Sequence, residues 1–275
     1  MAIEFGSLFA GIGGIDLGLE RAGMVCKWQV EIDDYATKVL EKHWPNVARF
    51  RDVRECGRHN LEWVDLICGG FPCQDISYAG KGAGIKGERS GLWSEFYRII
   101  CELRPRFVLV ENVAALLNRG MGRVLGDLAA CGYDAEWECL PAAAFGAPHI
   151  RDRVFIFAYT ESHLWEASRN DRSESSNGSD SLLAHATEFR WHEAQIETPT
   201  SHKECGRSQG QIGRCGGAKR KKNWWSIEPD VGRVADGIPA RVDRLRGLGN
   251  AVVPQIAEWI GKRMAEMSEK GDSGA

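Results

Sequence analysis

No two of the nine cysteines stand in a CxxC pair, and they are odd in number and irregularly placed. This argues against a zinc ribbon or a disulfide framework and for a reducing compartment. No apolar run is long enough to span a bilayer, and the first residues lack the basic and apolar regions of a signal peptide. A cytoplasmic protein without a membrane segment is expected. There is no global excess of positive charge: the formal net charge is −3 over 275 residues, so any contact with nucleic acid must come from local clustering. No internal repeat is present, and no metal site is expected.

What is present is a soluble α/β pattern. With 43% hydrophobic and 27% charged residues, the chain can hold one large α/β domain, with or without a small insert. The run Ile3 to Phe9 reads as a strand, followed by Ala10-Gly11-Ile12-Gly13-Gly14 and then by Ile15, Leu19 and Ala22 at helical spacing. Strand, glycine turn and helix form a cradle for a cofactor. Asp16 stands where a dinucleotide fingerprint wants its third glycine, which disfavours NAD. A second strand, Val25 to Val30, ends in Glu31, about 20 positions after the glycine turn, where an acid commonly binds ribose hydroxyls. A helix comes next, from Asp33 to Trp44, and Asp52 then supplies a further acid on the same sheet edge.

The central stretch is Gly69-Gly70-Phe71-Pro72-Cys73-Gln74. It comes after the buried strand Val64 to Cys68. Pro72 restricts the backbone on both sides, so Cys73 sits on a bend beyond a strand end, where a substrate can reach its thiol. Burial as a small hydrophobe is the ordinary fate of a free cysteine, and that reading is accepted for the other eight. Residues 80–91 contain five glycines with Lys81, Lys86 and Arg89, the composition of a mobile lid. The strand Phe107 to Val110 ends in Glu111-Asn112-Val113. Further on, Arg151-Asp152-Arg153 leads into the strand Val154 to Ala158, and two arginines one residue apart point the same way on extended chain. From Lys203 to Lys222 seven basic residues face one acid, Glu204, with Trp224-Trp225 close behind. Such a surface suits a nucleic-acid backbone. A helix is expected from Gln255 to about Met267.

Taken in order, the runs Phe9-Ala10-Gly11-Ile12-Gly13-Gly14, Gly69 to Gln74, Glu111-Asn112-Val113, Arg151-Asp152-Arg153 and Gly249-Asn250-Ala251-Val252-Val253-Pro254 resemble the DNA (cytosine-5)-methyltransferases of bacteria and phage. The resemblance implies a Rossmann-like S-adenosyl-L-methionine-dependent sheet with helices on both faces and a small target-recognition insert. It implies a discontinuous catalytic domain, 1–159 and 231–268, an insert at 160–230, and a disordered tail at 269–275. By the same resemblance, Phe9, Gly11, Gly13, Glu31, Asp52, Pro72, Leu92, Asn250 and Val252 bind the cofactor. Cys73 is the nucleophile that adds to C6 of cytosine, Glu111 acts at N3, and Arg153, with Arg151 beside it, holds O2. Lys81, Arg89, Lys219, Arg220, Lys221 and Lys222 are expected to contact DNA.

The implied partner is double-stranded DNA with its target base flipped out, and a cognate restriction endonuclease acting at the same site is a further candidate. A monomer is expected. The family usually has Gln two positions before the first arginine of the pair, where this chain has His149. Two alternatives are a tRNA cytosine-5 methyltransferase and a catalytically silent DNA-binding relative. Against the first, the Cys-Phe-Thr motif of that branch is absent; against the second, the thiol and the carboxylate are both in place.

Overall fold

The computed structural model describes residues 2–72, 92–160 and 241–272. The chain begins with β1 (Glu4–Leu8), α1 (Gly14–Arg21), β2 (Val25–Val30), α2 (Asp34–His43) and β3 (Ala48–Phe50). A 3-10 turn (Val53–Glu55) precedes β4 (Leu66–Gly69). The second segment holds α3 (Trp93–Leu103), β5 (Phe107–Val113), the short α4 (Leu116–Arg119), α5 (Met121–Ala130), β6 (Asp134–Pro141) and β7 (Asp152–Tyr159). The third holds α6 (Arg241–Asn250) and α7 (Pro254–Asp272). Among the described residues, no helix is long and apolar enough to cross a membrane.

One sheet of seven strands runs in the order β3-β2-β1-β4-β5-β7-β6. The first five are mutually parallel, and β7 lies antiparallel to both β5 and β6. Alternate residues of the central strands enter two different cores. Leu8, Ile67, Val108, Val110 and Ile156 pack with Phe96 and Ile100 of α3 and Val124 and Leu128 of α5. Phe5, Leu66, Leu109, Phe155 and Phe157 pack on the other face with Leu19 of α1 and Ile256, Ile260 and Met264 of α7. A strand covered on both faces has no polar side, so β4 and β5 read as unbroken apolar runs. This is the expected α/β sheet with helices on both faces.

The two chain regions that build the second core meet tightly. A Cβ on Gly18 of α1 would lie 2.4 Å from the Pro254 carbonyl oxygen and 2.5 Å from the Ala257 methyl of α7. Only the missing side chain lets the helices approach so closely. The N-terminus of α2 is capped by Asp33, whose carboxylate accepts from the Ala36 N–H at 2.9 Å, the usual means of satisfying an orphan helix donor.

Several expectations are corrected. Cys101 and Cys131 form a disulfide, with Cα atoms 6.3 Å apart, between the last turns of α3 and the residue that closes α5. Irregular sequence spacing hides this pair because helix packing, not spacing, brings the two together. The last helix runs through Asp272, so residues 269–272 are helical where a disordered tail is expected from sequence. Strand β5 extends past the expected Phe107–Val110 and includes Glu111, Asn112 and Val113, because β7 pairs with it over its whole length. Residues 134–141 form β6, which has no counterpart among the expected strands. As an edge strand it is only half covered, with Trp137 46% exposed and three acids among its eight residues, so its hydrophobic signal is weak.

Candidate active site

Strand order reverses between β1 and β4, with β2 and β3 leaving to one side and β5 to the other. The carboxyl ends of these strands surround a cavity of about 680 Å³. Open α/β sheets bind their ligands at this switch point. Residues from all three described segments line it.

The glycine turn forms one wall. Phe9 leaves β1 with φ 53, a left-handed conformation that costs a non-glycine residue energy and is tolerated mainly at functional sites. Gly11 has φ 56, and a Cβ there would meet nothing within 4 Å, so glycine is required by conformation and the space in front of it stays open. Gly13 does not line the cavity. It has φ 83, and a Cβ would strike the Trp44 ring at 2.4 Å, so its bareness serves packing beneath the turn.

Glu31 comes just after β2 and ties this wall together. One carboxylate oxygen accepts from the Gly11 N–H at 2.7 Å and the other from the Asp33 N–H at 2.8 Å. Burial raises its pKa, opposed by these backbone donors. A carboxylate has about four acceptor positions, and backbone donors do not fill all of them, which leaves capacity for a hydroxyl group. Asp52 also lines the cavity, but it is engaged: Arg54 donates to its Oδ2 at 2.6 Å, and hydrogen bonds from Arg54 lower its pKa. An amino group arriving there meets a carboxylate that is already paired. Pro72, Leu92, Asn250 and Val252 complete the lining.

The other end of the cavity holds an ion pair. In the antiparallel β5–β7 ladder Glu111 faces Phe155 and Val113 faces Arg153. Glu111 and Arg153 are therefore diagonal neighbours on one sheet face, within reach of long side chains. Arg153 Nε lies 3.0 Å from Glu111 Oε1. Glu111 is 8% exposed. Burial raises its pKa, and the charges of Arg153 and Arg151 oppose that rise. Its other oxygen presses against Gly70, where a Cβ would sit 2.5 Å away. Asn112, next in the strand, donates to the Phe71 carbonyl at 3.1 Å, and Phe71 packs on Trp93 with ring centroids 5.4 Å apart. Glu111 and Asn112 thus brace the bend that leads through Pro72 toward Cys73.

Arg151 shares with Arg153 an electrostatic influence on Glu111 but has a further bond of its own. Its backbone has φ 39, which breaks the extended alternation that would align the two. Its Nη1 donates to the Gly249 carbonyl at 2.6 Å. Cys73, Lys81, Arg89 and Lys219, Arg220, Lys221 and Lys222 lie outside the described residues, as does the expected insert apart from residue 160. Among residues given no role from sequence, Arg51, Arg54 and Asp243 line the cavity, and the bracing role of Asn112 becomes visible only in the fold. Asp16, noted from sequence only as a missing glycine, is fully buried and accepts from Gln29 Nε2 at 2.7 Å and Ser7 Oγ at 3.1 Å.

Residues 3–224 match the model of the C-5 cytosine-specific DNA methylases. The chain belongs to this family of DNA cytosine-5 methyltransferase enzymes. Type II methyltransferase M2.BsuMI of Bacillus subtilis (strain 168) is 32% identical to this methylase over 303 residues, covering 94% of this chain and 75% of its own length. Type II methyltransferase M.Eco47II of Escherichia coli is 41% identical over 159 residues, 55% of this chain and 38% of its own length. A protein encoded within an Escherichia coli prophage, described as a DNA modification methyltransferase, superposes with a TM-score of 0.51 at 29% identity, over 59% of this chain and 48% of its own. Against these last two, the methylase matches less than half of the relative's length.

Proposed function

We propose that this methylase transfers a methyl group from S-adenosyl-L-methionine to C5 of a flipped cytosine in duplex DNA, at a specific sequence, within a restriction-modification or phage–host protection system. The observation that carries the reading is the shared cavity. The Glu111–Arg153 pair and the Phe9–Glu31–Val252 wall border one continuous space, so a base and a cofactor placed in it would be adjacent.

The cavity fits S-adenosylmethionine in size and chemistry. Its volume, about 680 Å³, lies within the usual range for small-molecule sites, roughly 300–1,000 Å³. Phe9 and Val252 offer apolar surface to a purine, Glu31 keeps acceptor capacity for a ribose hydroxyl, and the space before Gly11 is open. When bound, the cofactor supplies an electrophilic methyl group on a sulfonium.

The chain's own residues do the rest. The Cys73 thiolate, next in sequence after Pro72 of the cavity lining, adds to C6 of cytosine and makes C5 nucleophilic. Glu111, buried at the strand end beside Arg153, stabilises N3 or delivers a proton to it as the addition builds charge there. Arg153 is poised between the Glu111 carboxylate and O2 of the base. Loss of the C5 proton and of the cysteine then restores the aromatic ring. Residues 160–230, with Lys219 to Lys222, form the target-recognition insert that grips phosphates and reads base edges.

Duplex DNA carrying 5-fluorocytosine, incubated with cofactor, should become covalently trapped on the protein. Trapping should vanish in Cys73→Ser. A folded wild-type protein that neither traps this DNA nor transfers label to mixed duplex DNA would overturn the reading. Preferential labelling of tRNA in competition would replace the substrate.

A further inference from the structure

Sequence alternation pairs Arg151 with Arg153 at the base, and while its charge still acts on Glu111, its side chain also bonds to a different part of the chain. Helix α6 (Arg241–Asn250) ends beside the cavity, and its last carbonyls lack intrahelical donors. Arg151 Nη1 donates to one of them, the Gly249 carbonyl, at 2.6 Å. A cation at a helix C-terminus also meets the negative end of the helix dipole. The backbone of Arg151 is held in a left-handed conformation, φ 39, and its own carbonyl accepts from the Ala142 N–H at 3.3 Å. The residue is therefore fixed on the β6–β7 side and reaches across to the chain's last segment.

Immediately after Gly249 the chain becomes cofactor wall. Asn250, Ala251 and Val252 all line the cavity. The Ala251 N–H returns to the Gly247 carbonyl at 3.0 Å, so this wall hangs from the end of α6. On its far side it is pressed against α1, where a Cβ on Gly14 would lie 2.4 Å from the Val252 carbonyl oxygen. Arg151 is the clasp on the near side. It also sits two residues before Arg153, the base-side half of the ion pair with Glu111.

We propose that Arg151 is a positioning residue for the cofactor wall: it clamps the end of α6 so that Asn250–Val252 face the cavity, and thereby couples the cofactor site to the base site. The clamp's role in binding rests on the proposed occupancy of the cavity by S-adenosylmethionine. It makes no contact with the base a requirement for Arg151.

The test compares Arg151→Ala, Arg151→Lys and Arg153→Ala. Two quantities are read on purified protein without DNA: affinity for S-adenosylmethionine by calorimetry, and hydrogen exchange of the amides of Ala251, Val252 and Val253 without any ligand. Arg151→Ala should weaken cofactor binding about tenfold or more and speed exchange at those amides. Arg151→Lys, with one ammonium still able to reach a carbonyl, should restore part of both. Arg153→Ala should leave both within about twofold of wild type. With saturating cofactor, the loss of turnover in Arg151→Ala should largely be recovered. Wild-type cofactor affinity and exchange in Arg151→Ala, or a loss confined to turnover at saturation, would overturn the proposal. If Arg151→Ala does not fold, Arg151→Gln carries the same comparison. The exchange arm needs no cofactor, so a wild-type chain that binds no S-adenosylmethionine sinks the cofactor reading while the clamp is still decided.

Discussion

Replacing Gly70 by alanine displaces the Glu111 carboxylate without altering any group that reacts. Gly70 does not lie in the left-handed region, so alanine is allowed there by backbone conformation. The new methyl would stand 2.5 Å from Glu111 Oε2 and 3.3 Å from the Glu111 carbonyl oxygen. The backbone contact is tight but tolerable. The carboxylate contact is not, and because the carboxylate is the free end of a side chain, it is what yields. Restoring ordinary contact requires a shift of about 0.9 Å, and a misplacement of about 1 Å in an active site can cost on the order of 100-fold in rate. Stability should change by only about 1 kcal/mol, the lower end of overpacking costs.

The expected result is turnover reduced about 100-fold, cofactor affinity within about threefold, and a near-normal urea midpoint. Initial-rate methyl transfer with labelled cofactor, calorimetry and denaturation measure the three. Gly126→Ala on α5, where a Cβ meets nothing within 4 Å, is the control; it should hold activity and gain up to about 1 kcal/mol, as glycine-to-alanine changes in helices do. A well-folded Gly70→Ala variant with near wild-type turnover would refute the placement of Glu111 at the reacting base.

Burial raises the pKa of Asp16 to about 6, so the folded state holds its proton longer than the unfolded chain. Its contribution to stability is full below about pH 4, the unfolded carboxyl range, and is lost as pH rises toward 6. Asp16→Asn should therefore stabilise the protein at pH 7.5 by on the order of 1–3 kcal/mol and flatten the pH 4–6 dependence, while parallel urea profiles for the two proteins would refute this. Gly18→Ala should push α7 from α1 and cost about 1–3 kcal/mol in chemical denaturation. Reducing the Cys101–Cys131 bridge, 30 residues apart, should lower stability by about 2–4 kcal/mol through the freed unfolded chain; non-reducing peptide mapping checks the linkage first.

The central sheet is legible in the sequence because its strands are buried on both faces, which leaves unbroken apolar runs. The glycine turn, Glu31 and the strand-end position of Glu111 are legible because residue type and position already limit what they can do, whereas the ion pair of Glu111 with Arg153 emerges only from the β5–β7 register. The bond of Arg151 to α6 is not legible either: alternation on extended chain gives no sign of it, and it depends on one positive φ and on where α6 ends. Asp16 shows itself in the sequence only as a missing glycine, and its burial emerges only when Ser7 and Gln29 are seen to enclose it. Residues 241–250 carry two glycines near their end, yet α6 continues through both and hands one of its last carbonyl groups to Arg151. The disulfide depends on how α3 and α5 pack, which local sequence does not record.

The contact between Gly14 and Val252 has a consequence for biosynthesis. One side of the cavity is made within the first fifteen residues and another only from residue 250 on, so a nascent chain stopped short of that point carries the glycine turn and the Glu111–Arg153 pair but not the wall of Asn250–Val252. That side of the cavity is complete only once residues 250–252 and α7 dock on α1. A messenger cut short before that point would yield a polypeptide with every reacting group of the proposed mechanism and nowhere to seat the methyl donor.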